Sequence, residues 1–150
     1  MKKPYDFLTI GGGGTALASA MYSARLGMKT LVLGTNSGAE LPVGGVITTT
    51  NMVENYPGFV KISGYDLAKK LEEHAKSYDL VEIKEERATK IKKVGKVFHI
   101  KTNKGKHITK TILLATGTKW RELEAKGSKD FLNKGVHYCA LCDGPLYKNK

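Results

Sequence analysis

The segment from Tyr5 to Gly34 constrains the fold of this chain more than any other. It reads YDFLTI, a short apolar run, then GGGGTALASAMYSARLG, with Ala, Leu and Met at helical spacing, and then KTLVLG, a second apolar run. Short apolar runs bounded by glycine are typical of buried strands, and Gly27 is placed to end the helix. The order strand, glycine turn, helix, strand predicts a βαβ unit with parallel strands and a right-handed crossover.

The turn between the first strand and the helix carries a glycine-rich fingerprint. Gly11, Gly13 and Ala16 satisfy the spacing GxGxxA of dinucleotide-binding turns. In such turns the first glycine allows the tight bend, the second lets the backbone approach a pyrophosphate, and the small third residue lets helix and strand pack closely. The helix also directs its backbone NH groups and the positive end of its dipole at the phosphates. A glycine run can be only a flexible turn, but the flanking strand and helix favour nucleotide binding.

The acidic residue that usually ends the second strand of such a unit is missing. An Asp or Glu there normally binds a ribose hydroxyl, whereas here Gly34 is followed by Thr35, Asn36 and Ser37. Hydroxyl or backbone groups of this segment are therefore candidates to replace the carboxylate, and the pattern does not choose between them.

Residues 35–62 form a long connection rich in Gly, Thr and Asn. Loops of this length in a compact domain are usually functional or disordered, and apolar residues such as Val46 and Ile47 favour an ordered loop that lies against a ligand. Residues 63–79 then predict an amphipathic helix that begins at a serine. His74 lies beside its apolar stripe without a second ligand at helical spacing, so a surface histidine is a better interpretation than a metal ligand.

The segments after this helix predict a small antiparallel meander. VEIKEERATKIKKVG, KVFHIKTN and KHITKTILLATG alternate apolar and polar residues, and turn signals at Gly95 and Asn103–Gly105 separate them. The last segment has a continuous apolar centre, TILLAT, which is typical of a buried strand in a parallel sheet. Because ligands bind at the carboxyl edge of such sheets, Gly11–Ala16 and Ala115–Gly117 are expected to contact the same cofactor.

The chain is strongly basic, with a formal net charge of +11, and eight of its lysines lie between Lys90 and Lys110 without any acid among them. Such a patch can attract nucleic acid or another polyanion. However, these lysines alternate with apolar residues, and the patch has no arginine and only Phe98 as an aromatic residue. A solvated strand face is therefore the favoured interpretation, and nucleic-acid binding the weaker one.

The 150 residues suffice for one ordinary domain, which buries roughly 70% of the surface of its unfolded chain. No stretch approaches the roughly 18 apolar residues of a membrane helix. The apolar run Phe7–Ile10 is too short for a signal peptide. We therefore expect a soluble, cytoplasmic protein without a membrane partner. In that compartment a cysteine pair is more often catalytic or metal-binding than structural.

Cys139 and Cys142 are the two cysteines of the chain, and two residues separate them. This spacing allows a disulfide to close across the start of a helix, where a thiol pKa is lowered and the thiolate becomes more reactive. The alternative is half of a zinc site with His137 as a third ligand. A structural zinc needs four ligands and the chain has no second CxxC or HxxxH, so redox chemistry is favoured, while a zinc shared between two chains stays open.

Four motifs in this sequence occur together in a known family: GGGGTA, VENYPGF, ATG and CALCDG. Their order and spacing resemble the low-molecular-weight thioredoxin reductases and their relatives, including the flavoprotein subunit of alkyl hydroperoxide reductase. KWRE and GPLYK lean towards that second branch. The resemblance implies an α/β, Rossmann-like FAD-binding domain with a central parallel sheet and a small antiparallel β-meander. On this plan residues 1–117 resemble its first segment, and residues 118–150 the crossover into an NADPH domain that carries the CxxC.

The resemblance also implies the chemistry of a thioredoxin-disulfide reductase-like enzyme. In the family NADPH reduces FAD, the flavin reduces the cysteine disulfide, and the dithiol reduces a thioredoxin-like or peroxiredoxin-type protein. Cys142 resembles the sulfur that faces the flavin, Cys139 the sulfur that attacks the partner, and Asp143 the acid/base, although by itself Asp143 is equally an ordinary carboxylate near a helix N-terminus. The positions corresponding to the cofactor site are Gly11, Gly13, Gly14, Thr15, Ala16, Gly34, Thr35, Gly45, Val46, Asn55, Ala115, Thr116 and Gly117.

The sequence departs from the family in three respects. Val46 stands where relatives often have Gln, and Gly14 replaces a common Pro, so a polar contact is expected to be lost and the turn to be looser. The second nucleotide fingerprint and the returning FAD segment are absent from these residues. We therefore expect a truncated chain that does not complete NADPH-driven turnover alone and that forms a homodimer at full length. The alternative is a non-catalytic FAD-binding or dinucleotide-binding module whose basic hairpins hold a polyanion.

Overall fold

The structure is a computed structural model that describes residues 3–35, 43–118 and 121–149. It divides into two compact units, Met1–Gly117 and Thr118–Lys150. Which cofactor each unit serves stays a prediction. Within the described residues no helix is long and apolar enough to cross a membrane.

The first unit is built on one six-stranded sheet. Its strands in chain order are β1 (Tyr5–Ile10), β2 (Thr30–Gly34), β3 (Val81–Glu85), β4 (Ala88–Val94), β5 (Val97–Thr102) and β6 (Lys106–Leu114). Across the sheet their order is β3-β2-β1-β6-β5-β4. The pairs β3–β2, β2–β1 and β1–β6 are parallel, whereas the pairs β6–β5 and β5–β4 are antiparallel. The predicted α/β fold with parallel and antiparallel parts is confirmed, and β6 belongs to both parts.

Two helices belong to this unit, α1 (Gly14–Arg25) and α2 (Gly64–Lys76). Helix α1 connects the parallel strands β1 and β2, as the βαβ prediction requires. Its buried Ala16 and Ala20 pack on Val32 of β2. Small side chains at these positions let helix and sheet approach closely, so the backbone around the glycine turn is held in place.

Residues on the two faces of β1 and β2 enter different parts of the core, because successive strand residues point to opposite sides. One cluster comprises Leu8, Ile10, Leu31, Leu33 and Ile100. Ile100 comes from the meander strand β5, so the antiparallel part of the sheet contributes to the core on this face. Val32 points to the other face and packs on helix α1.

The segment from residue 81 to 95 is not one strand of the meander, as its alternation suggested. It divides at Glu86 into β3, which joins the parallel edge, and β4, which lies at the opposite edge of the sheet. The Glu86 amide donates to the Gly34 carbonyl at 2.8 Å. Its carboxylate accepts a hydrogen bond from Thr102 at 2.6 Å and lies 2.8 Å from Nε2 of His107. These contacts join Glu86 to residues distant in sequence and separate β3 from β4. The alternation of apolar and polar residues alone does not reveal this separation.

The other sequence predictions for this unit compare with the structure as follows. Helix α2 begins after Ser63, whose side chain caps it, and His74 is exposed on its surface. The connection after β2 contains a 3₁₀ turn, Gly45–Thr49, and a bridge between Val53 and Ile62. The apolar end of β6 is less buried than TILLAT predicts, because Leu114 is 65% exposed. Asn36 and Ser37 lie outside the described residues.

The second unit is short and contains little regular structure among its described residues. A one-turn helix α3 (Ala140–Asp143) is followed by a 3₁₀ turn, Gly144–Tyr147. The helix begins directly after Cys139, and the Asp143 amide donates to the Cys139 carbonyl at 2.9 Å. The predicted helix after the first cysteine is therefore present, but a single turn carries only a small dipole.

Candidate functional site

Gly11 occupies the point where β1 ends and the glycine turn begins. Its φ of +124° is a conformation that side-chain-bearing residues rarely adopt. A Cβ atom at this position would lie 1.9 Å from the carbonyl oxygen of Ala115. The amide of Ala115 in turn donates to the Ile10 carbonyl at 2.9 Å. The structure therefore brings the segment after β6 against the glycine turn, as the sequence predicts for a shared carboxyl edge.

The next two glycines are contacted from a different part of the chain. A Cβ atom on Gly12 would lie 2.9 Å from the side chain of Val43 and 3.0 Å from Cα of Gly34. The Gly44 amide donates to the Gly12 carbonyl at 2.7 Å. Gly45, with a φ of +68°, also approaches Gly13, because its own Cβ would lie 3.2 Å from Gly13 Cα. Residues 43–45 therefore form one wall of the turn.

Helix α1 starts at this turn with its N-terminus uncapped by side chains. Gly13 is the N-cap residue and provides no side-chain hydrogen bond, and the first turn contains no acidic residue. Gly14 and Thr15 begin the helix, and Ala16, the next residue of the helix, is fully buried. The first-turn amides thus have no side-chain competitor for an anion, and the helix dipole favours one.

The remaining predicted cofactor positions lie around this turn or farther along the chain. Gly34 is buried at the end of β2, and its carbonyl accepts a hydrogen bond from the Glu86 amide, while Thr35 after it is half-buried. Thr116 and Gly117 are exposed beyond Ala115. Val46 is 44% exposed on the 3₁₀ turn. Asn55 is exposed in the loop between Val53 and Ile62, and no described contact joins it to the glycine turn.

The backbone around Gly13 fits the pyrophosphate of a dinucleotide such as FAD. Among the described residues, a Cβ atom on Gly13 would meet only the Gly44 carbonyl oxygen, at 3.9 Å, so these residues leave space beside this backbone. The uncapped N-terminus of α1 adjoins that space. Gly13 and the first turn of α1 are thus the groups that would hold the phosphates.

The cysteine site lies in the second unit. Cys139 is half-buried and disulfide-bonded. It lines a cavity of about 410 Å³ together with His137, Tyr138, Asp143 and Tyr147. The side chain of Cys142 lies outside the described residues. Among the described side chains, no group of three or more His, Cys, Asp and Glu residues is arranged to hold a metal ion.

His137 connects two other members of this cavity. Its Nδ1 lies 3.2 Å from Oδ2 of Asp143, and its Nε2 lies 2.7 Å from the Tyr147 hydroxyl. The rings of His137 and Tyr147 meet edge to face with their centroids 5.3 Å apart. The Tyr138 hydroxyl contacts neither of these residues and accepts a hydrogen bond from the Leu123 amide at 2.8 Å. The arrangement places a carboxyl group and an imidazole in the cavity that Cys139 lines, where they can pass a proton to a thiol once the disulfide is reduced.

Sequence reasoning missed several residues that shape these two sites. Sequence reasoning did not single out Gly12 or Gly44. Gly44 is the first residue of the pair Gly44–Gly45, and this double glycine could have revealed it. His137 was considered only as a zinc ligand, and Tyr147 not at all. A second cavity of about 760 Å³ lies along residues 121–130. It is larger, but neither a cysteine nor any residue of the glycine turn lines it, so Cys139 stays the candidate redox site.

The fold and the two sites define a class: an α/β protein with a dinucleotide-type glycine turn and a disulfide-bonded cysteine followed closely by a carboxylate. The family model described as "Pyridine nucleotide-disulphide oxidoreductase" matches residues 5–150. This chain belongs to that family of oxidoreductases. The family resemblance predicted from the motifs is confirmed.

Curated relatives carry three different names. Thioredoxin reductase of Treponema pallidum is 37% identical over 151 residues, which cover 100% of this chain and 47% of that protein. NADH dehydrogenase of Bacillus subtilis is 38% identical over 99% of this chain and 28% of its own length. An alkyl hydroperoxide reductase subunit of Staphylococcus aureus is 34% identical with the same coverage. The chain thus spans less than half the length of these relatives.

Solved structures show the same fold. The crystal structure of Lactococcus lactis thioredoxin reductase superposes with a TM-score of 0.75 at 38% sequence identity, over 95% of this chain and 45% of that one. The mixed six-stranded sheet is accordingly the arrangement found in thioredoxin reductases.

Proposed function

We propose that this chain provides the first FAD-binding segment and the redox-active cysteine pair of an NADPH-linked, thioredoxin reductase-like disulfide oxidoreductase. The observation that carries the proposal is Cys139, a disulfide-bonded cysteine that lines a cavity with a carboxyl group, Asp143. Structural disulfides rarely occur in a site of this kind, whereas exchange between thiol and disulfide requires an accessible sulfur and a nearby proton carrier. The relatives named thioredoxin reductase support the same reaction.

The glycine turn would hold the cofactor. Gly13 offers its open backbone, and the uncapped first turn of α1 offers amide donors to the FAD pyrophosphate. Thr35 is the candidate ribose contact in place of the usual carboxylate, because the neighbouring Gly34 carbonyl is already engaged. When bound, FAD supplies two-electron transfer from NADPH to the disulfide.

Reduction would convert the disulfide of Cys139 and Cys142 to two thiols at a cost of two electrons and two protons. Cys139 then attacks a disulfide of a thioredoxin-like or peroxiredoxin-type protein, and Cys142 resolves the mixed disulfide and releases the reduced partner. Asp143 carries a proton between the sulfurs. Because the relatives are at least twice as long, we propose that NADPH-driven turnover needs further segments. We also propose, from the family resemblance alone, that the full-length protein is a homodimer.

A glycine variant tests the cofactor site. Gly13→Ala adds a methyl group where the phosphates are proposed to lie, yet the nearest atom is 3.9 Å away, so the fold should tolerate it. We expect the affinity for FAD, measured by titration calorimetry, to fall on the order of tenfold or more while the thermal unfolding temperature stays unchanged. Gly105→Ala, at an open position without positive φ, is the matched control and should keep full affinity. Equal FAD binding by both variants would refute the site.

A second experiment tests the electron path. The chain is loaded with FAD, the flavin is reduced anaerobically, and free thiols are counted by alkylation and mass spectrometry. We expect two new thiols in the wild type and none in Cys139→Ser. The same 150 residues should show no steady oxidation of NADPH, measured by its absorbance. Flavin that stays reduced while the thiol count remains zero would contradict the proposed transfer.

A second candidate function is polyanion binding, favoured by the register of the meander. Lys90 pairs across the sheet with Lys101, and Lys101 with Lys106. All three are exposed, and none forms an ion pair with any described residue. Like charges directly opposite destabilise a sheet unless an anion compensates them. This row of lysines is the feature that would bind a polyanion.

Retention on a heparin column at increasing salt tests this second function. The triple change of Lys90, Lys101 and Lys106 to Gln should lower the salt concentration of elution. The control changes Lys69, Lys70 and Lys129, which are also exposed, to Gln and has the same net charge. Identical elution of the two triple variants would reject a specific basic face and leave only the effect of net charge.

A further inference from the structure

The cavity at Cys139 contains an imidazole that the proposed electron path does not use. His137 lies two residues before Cys139, and its side chain is only 15% exposed. Tyr147 Oη and Asp143 Oδ2 face its two ring nitrogens, at 2.7 Å and 3.2 Å. Among the described residues, the cavity wall also contains Tyr138 and the disulfide-bonded Cys139. The imidazole is thus placed between a phenol and a carboxyl group beside the disulfide.

The contact to Asp143 is close but not aligned as a hydrogen bond. Nδ1 of His137 is buried and has no hydrogen-bond partner among the described residues, although Oδ2 of Asp143 is within ion-pair distance. A buried ring nitrogen left in this way costs free energy. The Asp143 side chain is 30% exposed. A small rotation of its carboxyl group would complete the bond.

We propose that His137 is a positioning residue for disulfide exchange: it orients the Asp143 carboxyl group and shares a proton with it. This inference rests on the proposed function. Tyr147 would hold the imidazole in place through its hydroxyl and its edge contact. An imidazole that gives up and regains a proton during exchange makes the rate depend on pH, and we expect one limb of the pH profile to depend on His137.

The step balances as follows. The Cys139 thiolate attacks one sulfur of the partner disulfide and forms a bond to it, and the partner's S–S bond breaks. The departing sulfur keeps the electrons of that bond and takes one proton from the pair formed by Asp143 and His137. The Cys142 thiol returns a proton to this pair and attacks Cys139, which releases the second partner sulfur. The proton that Cys139 lost on becoming a thiolate, passed through solvent, neutralises that sulfur. The partner gains two electrons and two protons, and the cysteine pair becomes a disulfide.

The test uses the reduced 150-residue chain without flavin and oxidised glutathione as the disulfide. The exchange rate is measured by thiol alkylation across pH about 5 to 9, a range that includes imidazole titration. We expect His137→Ala to lower the rate on the order of tenfold, which is less than the hundredfold or more expected for the loss of a general acid. The limb of the pH profile that depends on His137 should disappear. His137→Asn, which keeps a donor towards Asp143, should recover much of the rate without that limb.

Two controls make the result decisive. His74→Asn, an exposed histidine on α2, should reproduce the wild-type profile. Tyr147→Phe keeps the ring and loses the hydroxyl, and it should show a weakened limb. Should His137→Ala fail to fold by circular dichroism, His137→Asn and Tyr147→Phe decide alone. If the pH profiles of His137→Asn and Tyr147→Phe superimpose on the wild-type profile, this inference is overturned while the proposed function stands. A wild-type chain that does not exchange would overturn both.

Discussion

Thr9 and Thr30 are fully buried threonines in neighbouring strands, and their hydroxyl groups have opposite surroundings. The Thr30 hydroxyl donates to the Met28 carbonyl at 3.0 Å and lies 2.8 Å from the Ser23 hydroxyl. The Thr9 hydroxyl has no partner among the described residues. A buried hydroxyl without a hydrogen bond keeps its full desolvation cost, so the same residue type stabilises at one position and destabilises at the other.

Replacing each threonine by valine tests this contrast. Thr9→Val keeps the shape and removes the unsatisfied hydroxyl, so we expect the free energy of unfolding to rise by about 1 kcal/mol. Thr30→Val removes two satisfied contacts and should lower it by about 1 kcal/mol. Urea unfolding followed by circular dichroism measures both. A loss of stability in Thr9→Val would show that an ordered water satisfies the hydroxyl.

Gly11 provides a second prediction for a single residue. Gly11→Ala combines a positive φ with a Cβ 1.9 Å from a backbone oxygen, so the end of β1 must separate from Ala115. We expect a loss of at least about 3 kcal/mol in the free energy of unfolding. Gly27→Ala has a φ of +81° but open space around it, and should lose only about 1 kcal/mol. Equal losses in the same urea assay would mean that the clash at Ala115 relaxes freely.

At the scale of secondary structure, the start of α2 is held by one side chain and one close backbone contact. The Ser63 hydroxyl accepts a hydrogen bond from the Asp66 amide at 3.0 Å and donates to the Asp66 carboxylate at 2.6 Å. Gly64 lies so near the 3₁₀ turn that a Cβ atom there would be 1.8 Å from the Ile47 carbonyl oxygen. The Ser63 cap therefore fixes the start of α2, and Gly64 lies against the 3₁₀ turn Gly45–Thr49.

Removing this cap should destabilise the helix by a moderate amount. Ser63→Ala is expected to lower the free energy of unfolding by about 1 kcal/mol, because the Asp66 amide loses its acceptor. Ser63→Thr keeps the hydroxyl and should stay within a few tenths of a kcal/mol of the wild type. Thermal melts of the three proteins provide the comparison. A melt of Ser63→Ala that coincides with the wild type would show that water caps the helix equally well.

Over the whole molecule, basic residues outnumber acidic ones, so each carboxylate that interacts with a basic group contributes to the stability of the fold. The chain has 25 Lys and Arg residues against 14 Asp and Glu residues. Burial raises the pKa of Glu86, but hydrogen bonds from Thr102 and His107 and the charges of His107 and Lys84 outweigh it and lower that pKa below its ordinary 4.5. A hydrogen bond from Lys110, with another from the Lys29 amide, lowers the pKa of Asp6. These carboxylates link strands that are far apart in sequence.

This distribution of charge predicts a loss of stability in acid. A carboxyl group whose pKa is lower in the folded state stabilises the fold above its unfolded pKa, and the contribution disappears as the pH falls through the folded value. We expect the free energy of unfolding to be constant above about pH 5 and to fall steeply below pH 4.5. Glu86→Gln should flatten that fall. An unchanged slope in urea titrations at successive pH values would remove Glu86 from the explanation.

Local pattern was enough to predict the βαβ unit, the glycine turn at Gly11–Ala16 and the helix after Ser63, because each is encoded by residues adjacent in the chain. The cysteine pair was equally visible as a motif. Contacts between distant segments decided the rest. Glu86 separates β3 from β4 through partners at Gly34, Thr102 and His107, and His137 meets Tyr147 only once the backbone has turned after Cys139. Periodicity describes one segment at a time, whereas these arrangements depend on which segments come together in space.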